Sequence, residues 1–250
     1  MSRLVDVKKI TANVLGLKID CGNIETYKIK RLGGGSEGLV FSCCGNRLAV
    51  KEIEIQDDLP EEEAIRDIAA GLYLKPYIEK GILDTVIEQY DFFFCPDPKH
   101  TKIFSFMDLA EGTLNALWPN IDEKQKVNII KQVCYTLKFL NSIGVSHSDI
   151  NSHNILYIGC SNGNISCGDA VIKSKGYKIK IADFGMSEIT RDPYSGDKDI
   201  RMTAYMFFTL ENGFQDEPAP TFKSKTRLGK LINTYVLDVY ASKGDASIFV

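Results

Sequence analysis

The stretch that most restricts how this chain can fold is Val145 to Leu156, V-S-H-S-D-I-N-S-H-N-I-L. Apolar residues bracket a polar cluster, so the chain is expected to leave a buried segment, expose His147, Asp149 and Asn154, and return to the core. A long amphipathic helix precedes it. Asp122 and Gln125 form a capping-box pattern, and Val127, Ile130, Cys134, Leu137 and Leu140 recur at helical spacing up to Gly144. Two short strands follow, I-L-Y-I and Y-K-I-K-I-A, separated by G-C-S-N-G-N-I-S-C-G, which reads as a surface loop inserted near 159–175. Asp149 and Asn154 stand five positions apart. That spacing lets a loop aim a carboxylate at a substrate proton while the amide behind it holds a metal ion. An ordinary polar turn between a helix and a strand accounts for the same residues equally well, so the rest of the chain must decide.

Upstream, Y-K-I-K-R-L-G-G-G-S-E-G-L-V-F reads as strand, Gly-rich turn, strand. Gly33, Gly35 and Gly38 make G-x-G-x-x-G with Val40 two residues beyond, and a backbone without Cβ can press close to phosphates. A tight hairpin is the commoner use of such glycines; a dinucleotide fold would need a helix after Gly38, where Leu39–Phe41 reads as strand. The next strand, R-L-A-V-K-E-I-E-I, carries the single Lys51, a residue that on most strands is simply solvated. Asp57, Asp58 and Pro60 then open a helix, and Ile65, Ile68, Ala69 and Leu72 define its expected buried face. T-V-I-E-Q-Y-D-F-F-F and K-I-F-S-F-M-D-L supply two more strands, and Asp183-Phe184-Gly185 ends the strand after the inserted tract.

These signals occur in a fixed order, and together they resemble the protein-kinase superfamily over about residues 27 to 210: Gly-rich hairpin, strand lysine, acidic helix, H-x-D-x-x-x-x-N and D-F-G. The resemblance implies an α+β, two-lobed fold, with an antiparallel sheet and one helix in the smaller lobe and a mainly helical larger lobe. The expected division is an arm over 1–26, one lobe over 27–108 and the other over 109–250. It further implies ATP and Mg²⁺ as cofactors and transfer of the γ-phosphoryl group to a Ser or Thr hydroxyl of a protein. On that reading Gly33, Gly34, Gly35, Ser36, Gly38 and Val40 cover the phosphates, Ala49, Met107, Asp108 and Ala110 border the base, and Lys51 orients the phosphates. Glu62 is taken as the acid that positions Lys51, with Glu61, Glu63 and Asp67 as alternatives and Asp67 better placed by spacing. Asn154 and Asp183 would hold Mg²⁺, Asp149 would accept the substrate proton, and Asn151 would stand near the γ-phosphate.

The chain departs from the family pattern in ways that bear on activity. Ser148 replaces the arginine before Asp149, removing the cation that would pair with a phosphorylated activation segment. Asn151 occupies the usual lysine position, and Glu37 the tip of the Gly-rich loop. No A-P-E follows D-F-G, and Asp199, read as the anchoring acid of a buried helix, comes only 16 positions after Asp183. The shortened larger lobe is similar to abbreviated kinases of large DNA viruses. Two alternatives stay open: a nucleotide-binding pseudokinase without turnover, and a kinase-like enzyme acting on a small molecule.

Composition constrains the rest. A formal net charge of −3 gives no clustered positive potential for nucleic acid or an anionic membrane, and no run approaches the roughly 20 apolar residues of a membrane span. Seven cysteines without a C-x-x-C pair are expected to be reduced thiols in a cytoplasmic compartment. The oligomeric state is left open.

Overall fold

The computed structural model describes residues 9–35, 38–55, 58–96, 101–190, 197–213, 224–240 and 249. The chain divides into two compact units: Met1–Pro76, Ile87–Ala110 and Phe184–Met186 form one, and Tyr77–Val86, Glu111–Asp183 and Ser187–Val250 the other. The class is α+β, as expected.

The first unit is built on a five-stranded antiparallel sheet. Its chain-order elements are β1 (Thr11–Val14), β2 (Leu17–Asp20), α1 (Ile24–Tyr27), β3 (Lys28–Gly35), β4 (Gly38–Cys43), β5 (Leu48–Ile55), α2 (Asp58–Glu79), β6 (Gln89–Cys95) and β7 (Thr101–Asp108). The strand order is β3-β4-β5-β7-β6. Alternation along each strand sorts side chains onto two faces. Ile53, Phe92, Phe94 and Ile103 pack with Ala64, Ile68 and Ala69 of α2. Val50, Phe93, Phe104 and Phe106 point the other way, where Ala12, Val14, Ile19 and Ile24 cover them. The arm expected over 1–26 is therefore, within the described residues, a β-hairpin and a short helix that complete a core.

On that second face Glu52 accepts hydrogen bonds from Lys28 and from Lys102, the latter at 2.7 Å. Burial pushes the Glu52 carboxyl up, but the bonds and charges of the two lysines outweigh it and hold the group below its ordinary range.

Of the face expected on α2, Ile68 and Ala69 are buried and Ile65 packs against them, but the buried face is wider on the Ala64 and Asp67 side and does not reach Leu72. Ala64, Asp67, Ile68 and Leu74 are buried, whereas Leu72 is 41% exposed. Small residues mark the closest approach: a Cβ on Gly71 would come within 2.3 Å of the Gln89 side chain.

The second unit comprises β8 (Gly112–Thr113), α3 (Leu114–Leu117), α4 (Glu123–Ser142), β9 (Val145–Ser146), β10 (Ile155–Cys160), β11 (Asn164–Cys167), β12 (Ala170–Lys173), β13 (Gly176–Ile181), β14 (Glu188–Ile189), α5 (Asp197–Asn212) and α6 (Arg227–Tyr240). The capping box at Asp122 and Gln125 is present in full. α4 buries Ile130, Val133, Leu137 and Leu140, and also a polar stripe of Asn128, Gln132 and Thr136. Gln132 donates to the Tyr177 carbonyl and accepts from the Ile179 amide at 3.0 Å each, tying the helix to β13. The tract read as an inserted surface loop is instead a hairpin. β11 pairs with β12, and alternation turns Ile165, Cys167 and Ile172 inward against Tyr135. Among the described residues no helix is long and apolar enough to cross a membrane.

Candidate active site

The sheet of the first unit brings several of the expected residues onto one face. Val40 and Ser105 lie directly across from Lys51, and Ala49 lies across from Met107. Directly opposed residues share a face, so Val40, Ala49, Lys51 and Met107 all point toward the α2 side. At the glycine turn, Gly38 has φ +124°, and a Cβ there would stand 2.3 Å from the Glu52 carbonyl oxygen. Only glycine lets β4 pass β5 this closely. Gly33, Gly34 and Gly35 lie on β3, opposite Val40, Leu39 and Gly38. Ser36 and Glu37 lie outside the described residues.

Lys51 does not meet Glu62. The Glu62 side chain is 63% exposed and pairs with Arg66 one turn along the same helix. The acid beside Lys51 is Asp67, 4% exposed, with 3.9 Å between Nζ and Oδ2. Its other oxygen, Oδ1, accepts the backbone N–H of Phe184 at 2.9 Å. A single buried carboxylate thus holds the strand lysine and the middle residue of D-F-G. The phase of α2 explains the correction: Asp67 shares the buried face with Ala64 and Ile68, and Glu62 faces water.

At the end of β7, Asp108 is partly committed. Its N–H donates to the Glu88 carbonyl, and its carboxylate accepts from the Glu88 N–H and the Tyr90 hydroxyl. Of the backbone groups expected to meet a base, the Asp108 N–H is therefore already bonded. The Tyr90 hydroxyl is pushed well above its ordinary range by burial and by the adjacent Asp108 charge.

In the second unit the loop after β9 is fixed from beneath by Asp199. This carboxylate, 0% exposed, accepts the N–H groups of His147 and Ser148 at 2.9 and 2.8 Å and the Ser146 hydroxyl at 3.1 Å. Beyond this anchored N–H, Ser148 adopts φ +65°, a left-handed conformation costing about 1–3 kcal/mol that turns the chain toward Asp149. The three charge-assisted bonds offset that cost. Where an arginine was missed, the Ser148 hydroxyl bonds to that of Ser146.

His147, expected to be exposed, is wholly buried. Its Nδ1 accepts the Asp149 N–H at 3.3 Å, so Nε2 carries the proton and donates to the Ala182 carbonyl at 3.0 Å. Burial holds the imidazole below its ordinary range, against the opposing pull of the Ala182 carbonyl and the Asp199, Asp149 and Asp183 charges. A neutral ring links the loop to the residue before Asp183.

The Asp149 carboxylate is oriented within its own loop. Asn154 Nδ2 donates to Asp149 Oδ2 at 2.7 Å and to its carbonyl at 3.0 Å. Asn151 Nδ2 reaches the same Oδ2 at 3.3 Å, and its own Oδ1 accepts the N–H groups of His153 and Asn154. Both amides use Oδ2, and neither of these bonds takes up Oδ1. The amide oxygen of Asn154 is likewise left by these bonds as an acceptor. The Ala182 N–H donates to the Asn154 carbonyl at 2.9 Å, and Ile155 pairs with Ile181, which brings Asn154 beside the strand end that presents Asp183. Asp183 itself has φ +67°. Beside the loop, Asn115, Trp118, Pro119, Ser152, Thr209 and Leu210 line an uncharged depression of about 280 Å³.

The first unit holds a lysine against an acid; the second, taken by itself, holds the Asp149 carboxylate in one orientation and carries amide and carboxylate oxygens of the kind a hard cation takes. A family model described as the protein kinase domain matches residues 27–207. The chain belongs to the protein kinase family. "Probable serine/threonine-protein kinase fhkB" of Dictyostelium discoideum is 25% identical to this kinase domain over 197 residues, 75% of the chain and 16% of that protein. The MAP kinase kinase kinase mkh1 of Schizosaccharomyces pombe is 25% identical over 218 residues, 83% of the chain and 18% of that protein. A "probable myosin light chain kinase" of Dictyostelium discoideum is 34% identical over 194 residues, 68% of the chain and 46% of that protein. The chain thus spans less than half the length of each of these relatives.

The cysteines also depart from expectation. Cys21 and Cys95 form a disulfide, so the seven cysteines are not all thiols. The polar stripe of α4 and the phase of α2 were hidden because hydrophobic periodicity gives no weight to buried Asn, Gln and Asp, and little to Ala and Gly.

Proposed function

We propose that this kinase domain transfers the γ-phosphoryl group of Mg-ATP to a Ser or Thr hydroxyl of a protein. The observation that carries the reading is the held carboxylate of Asp149, clamped through Oδ2 by Asn154 and Asn151 on a loop fixed by Asp199. In this reading Asp149 Oδ1 takes the proton of the attacking hydroxyl, and the two amides keep the carboxylate from rotating away. Lys51, set by Asp67, steadies the phosphates, while Val40, Ala49 and Met107 border the base and Asp108 and Ala110 offer it backbone carbonyls. The glycines from Gly33 to Gly38 let the backbone close over the phosphates.

Asn154 and Asp183 would hold the metal. Their amide and carboxylate oxygens are hard donors suited to Mg²⁺, and two protein ligands are enough for an ion that keeps water and phosphate oxygens in its shell. Bound there, the ion would neutralise charge on the phosphates. Phosphoryl transfer needs mostly positioning and charge, so loss of Lys51 or Asp183 should damage it as much as loss of the base. The uncharged depression at Ser152 offers a place for one side chain of a protein substrate next to its acceptor residue.

Purified protein with Mg²⁺ and labelled ATP should label itself or a generic protein, and Asp149→Asn should abolish labelling. Equal labelling by both proteins contradicts the reading. Stabilisation by Mg-ATP without transfer to any protein would point to a pseudokinase. ATP consumption with a metabolite alone would point to a small-molecule kinase.

A further inference from the structure

The segment from Lys9 to Tyr27 is fastened to the outer face of the sheet that carries Lys51, and one of its fastenings is covalent. Cys21, just past β2, is joined to Cys95, the last residue of β6, 74 positions further along the sequence, with 5.5 Å between their Cα atoms. The other fastenings are polar and sit on β6: the Phe94 N–H donates to the Lys9 carbonyl at 2.8 Å, the Asn13 N–H donates to Asp91 Oδ2 at 2.7 Å, and Lys9 pairs with Asp91. Beneath them Ala12, Val14, Ile19 and Ile24 bury Val50, Phe93, Phe104 and Phe106. Val50 precedes Lys51 on β5, so the cover packs against the strand that positions the lysine.

Cys21 is exposed and Cys95 half-buried, so an external thiol can reach the bond from the Cys21 side. The remaining described cysteines of this unit, Cys43 and Cys44, are buried. Burial, with the neighbouring Cys44, pushes the Cys43 thiol up, which leaves little thiolate to attack the pair from within. An attack on this bond would therefore come from an external thiol and not from Cys43 or Cys44.

We infer that Cys21 and Cys95 are a redox-sensitive strap, and that thiol–disulfide exchange at this pair sets how firmly residues 9–27 hold the Lys51 sheet. In the opening step the thiolate of a dithiol reductant attacks the Cys21 sulfur and the Cys95 sulfur leaves as a thiolate. The second thiol of the reductant then displaces Cys21, so one dithiol is oxidised to its disulfide while the protein bond becomes two thiols. A small-molecule disulfide such as glutathione disulfide runs the exchange in reverse, releasing two small thiols. With the strap open, the polar fastenings and the apolar contacts remain, so the cover loosens without the sheet being lost.

The test does not depend on transferase activity. Wild-type protein is equilibrated with glutathione disulfide or with dithiothreitol, alkylated, and followed by intact mass and backbone hydrogen exchange. The oxidised sample should show Cys21 and Cys95 protected from alkylation. Reduction should speed exchange about tenfold or more across residues 9–27, with a smaller rise in β5 to β7. Cys95→Ser, oxidised or not, should match the reduced wild type. Because the wild type is compared with itself, a variant that fails to fold leaves the test intact. Alkylation of both cysteines after glutathione disulfide treatment overturns the inference, as does identical exchange in the two redox states.

Discussion

Asp149 and Asp67 are the two carboxylates on which the proposed chemistry turns, and the chain holds them by different means. Asp149 is oriented by amides two and five positions further along its own loop. Asp67 is oriented by a lysine on another element and by the backbone of Phe184, 117 positions away. The first arrangement is local and survives as a spacing in the sequence; the second exists only once the sheet, α2 and the residues after β13 have packed. Even the local arrangement leans on one distant group, since Asp199 sets the backbone on which Asp149 rides. A functional group held locally can be found by its neighbours, whereas one held by packing can be found only through the phase of the helix that carries it.

Asp199 is where the two arrangements separate most sharply. Asp199→Ala removes the acceptor of three buried donors and is expected to destabilise the protein by about 3–5 kcal/mol in urea unfolding, because the N–H groups of His147 and Ser148 are left unpaired. A loss under about 1 kcal/mol would mean that the loop holds itself. At the packed carboxylate, Asp67→Asn should lower phosphoryl transfer by about 10- to 100-fold by removing the charge beside Lys51, while Glu62→Gln changes it less than about twofold. Initial rates at saturating ATP decide this, and the opposite ranking would restore Glu62. Asn151→Ala removes the longer of the two amide bonds to Asp149 Oδ2. It should cost about 3- to 10-fold in kcat with little change in KM for ATP, in keeping with a bond of about 1 kcal/mol.

The smallest effect expected is one of pH, in the unit that carries Asp67. The Glu52 carboxyl is held below its ordinary range in the folded protein, so it binds a proton more readily when unfolded. Its contribution is present above its ordinary value of 4.5 and is lost as pH falls through the lower folded value. Wild type should therefore exceed Glu52→Gln in urea stability at neutral pH, with the gap narrowing below 4.5. A gap that widens on acidification would contradict the sign.

What could be read in advance follows the same division. The Gly-rich hairpin, the strand lysine, the capping box at Asp122, the Asp149–Asn154 loop and the anchoring role of Asp199 rest on short spacings or on one polar residue within an apolar run. Spacing already pointed to Asp67, but Glu62, three positions before Ile65, was set ahead of it; the face that decides between them is lined by Ala64 and Gly71, small residues that let α2 approach the sheet and carry little weight in an apolar pattern. The Cys21–Cys95 bond and the covering role of residues 9–27 join distant segments and leave no local pattern. The β11–β12 hairpin was obscured by its Gly, Ser and Asn content, although Ile165, Cys167 and Ile172 alternate as a strand pair requires.

The central claim is that Asp149 performs the proton transfer and that nucleotide is held elsewhere. The most direct measurement is the Mg-ATP dissociation constant and the phosphoryl-transfer rate of the same Asp149→Asn preparation beside wild type. Transfer should fall by about 100-fold or more, with the dissociation constant changed less than about threefold. Transfer at the wild-type rate, or loss of nucleotide binding in step with transfer, would contradict it.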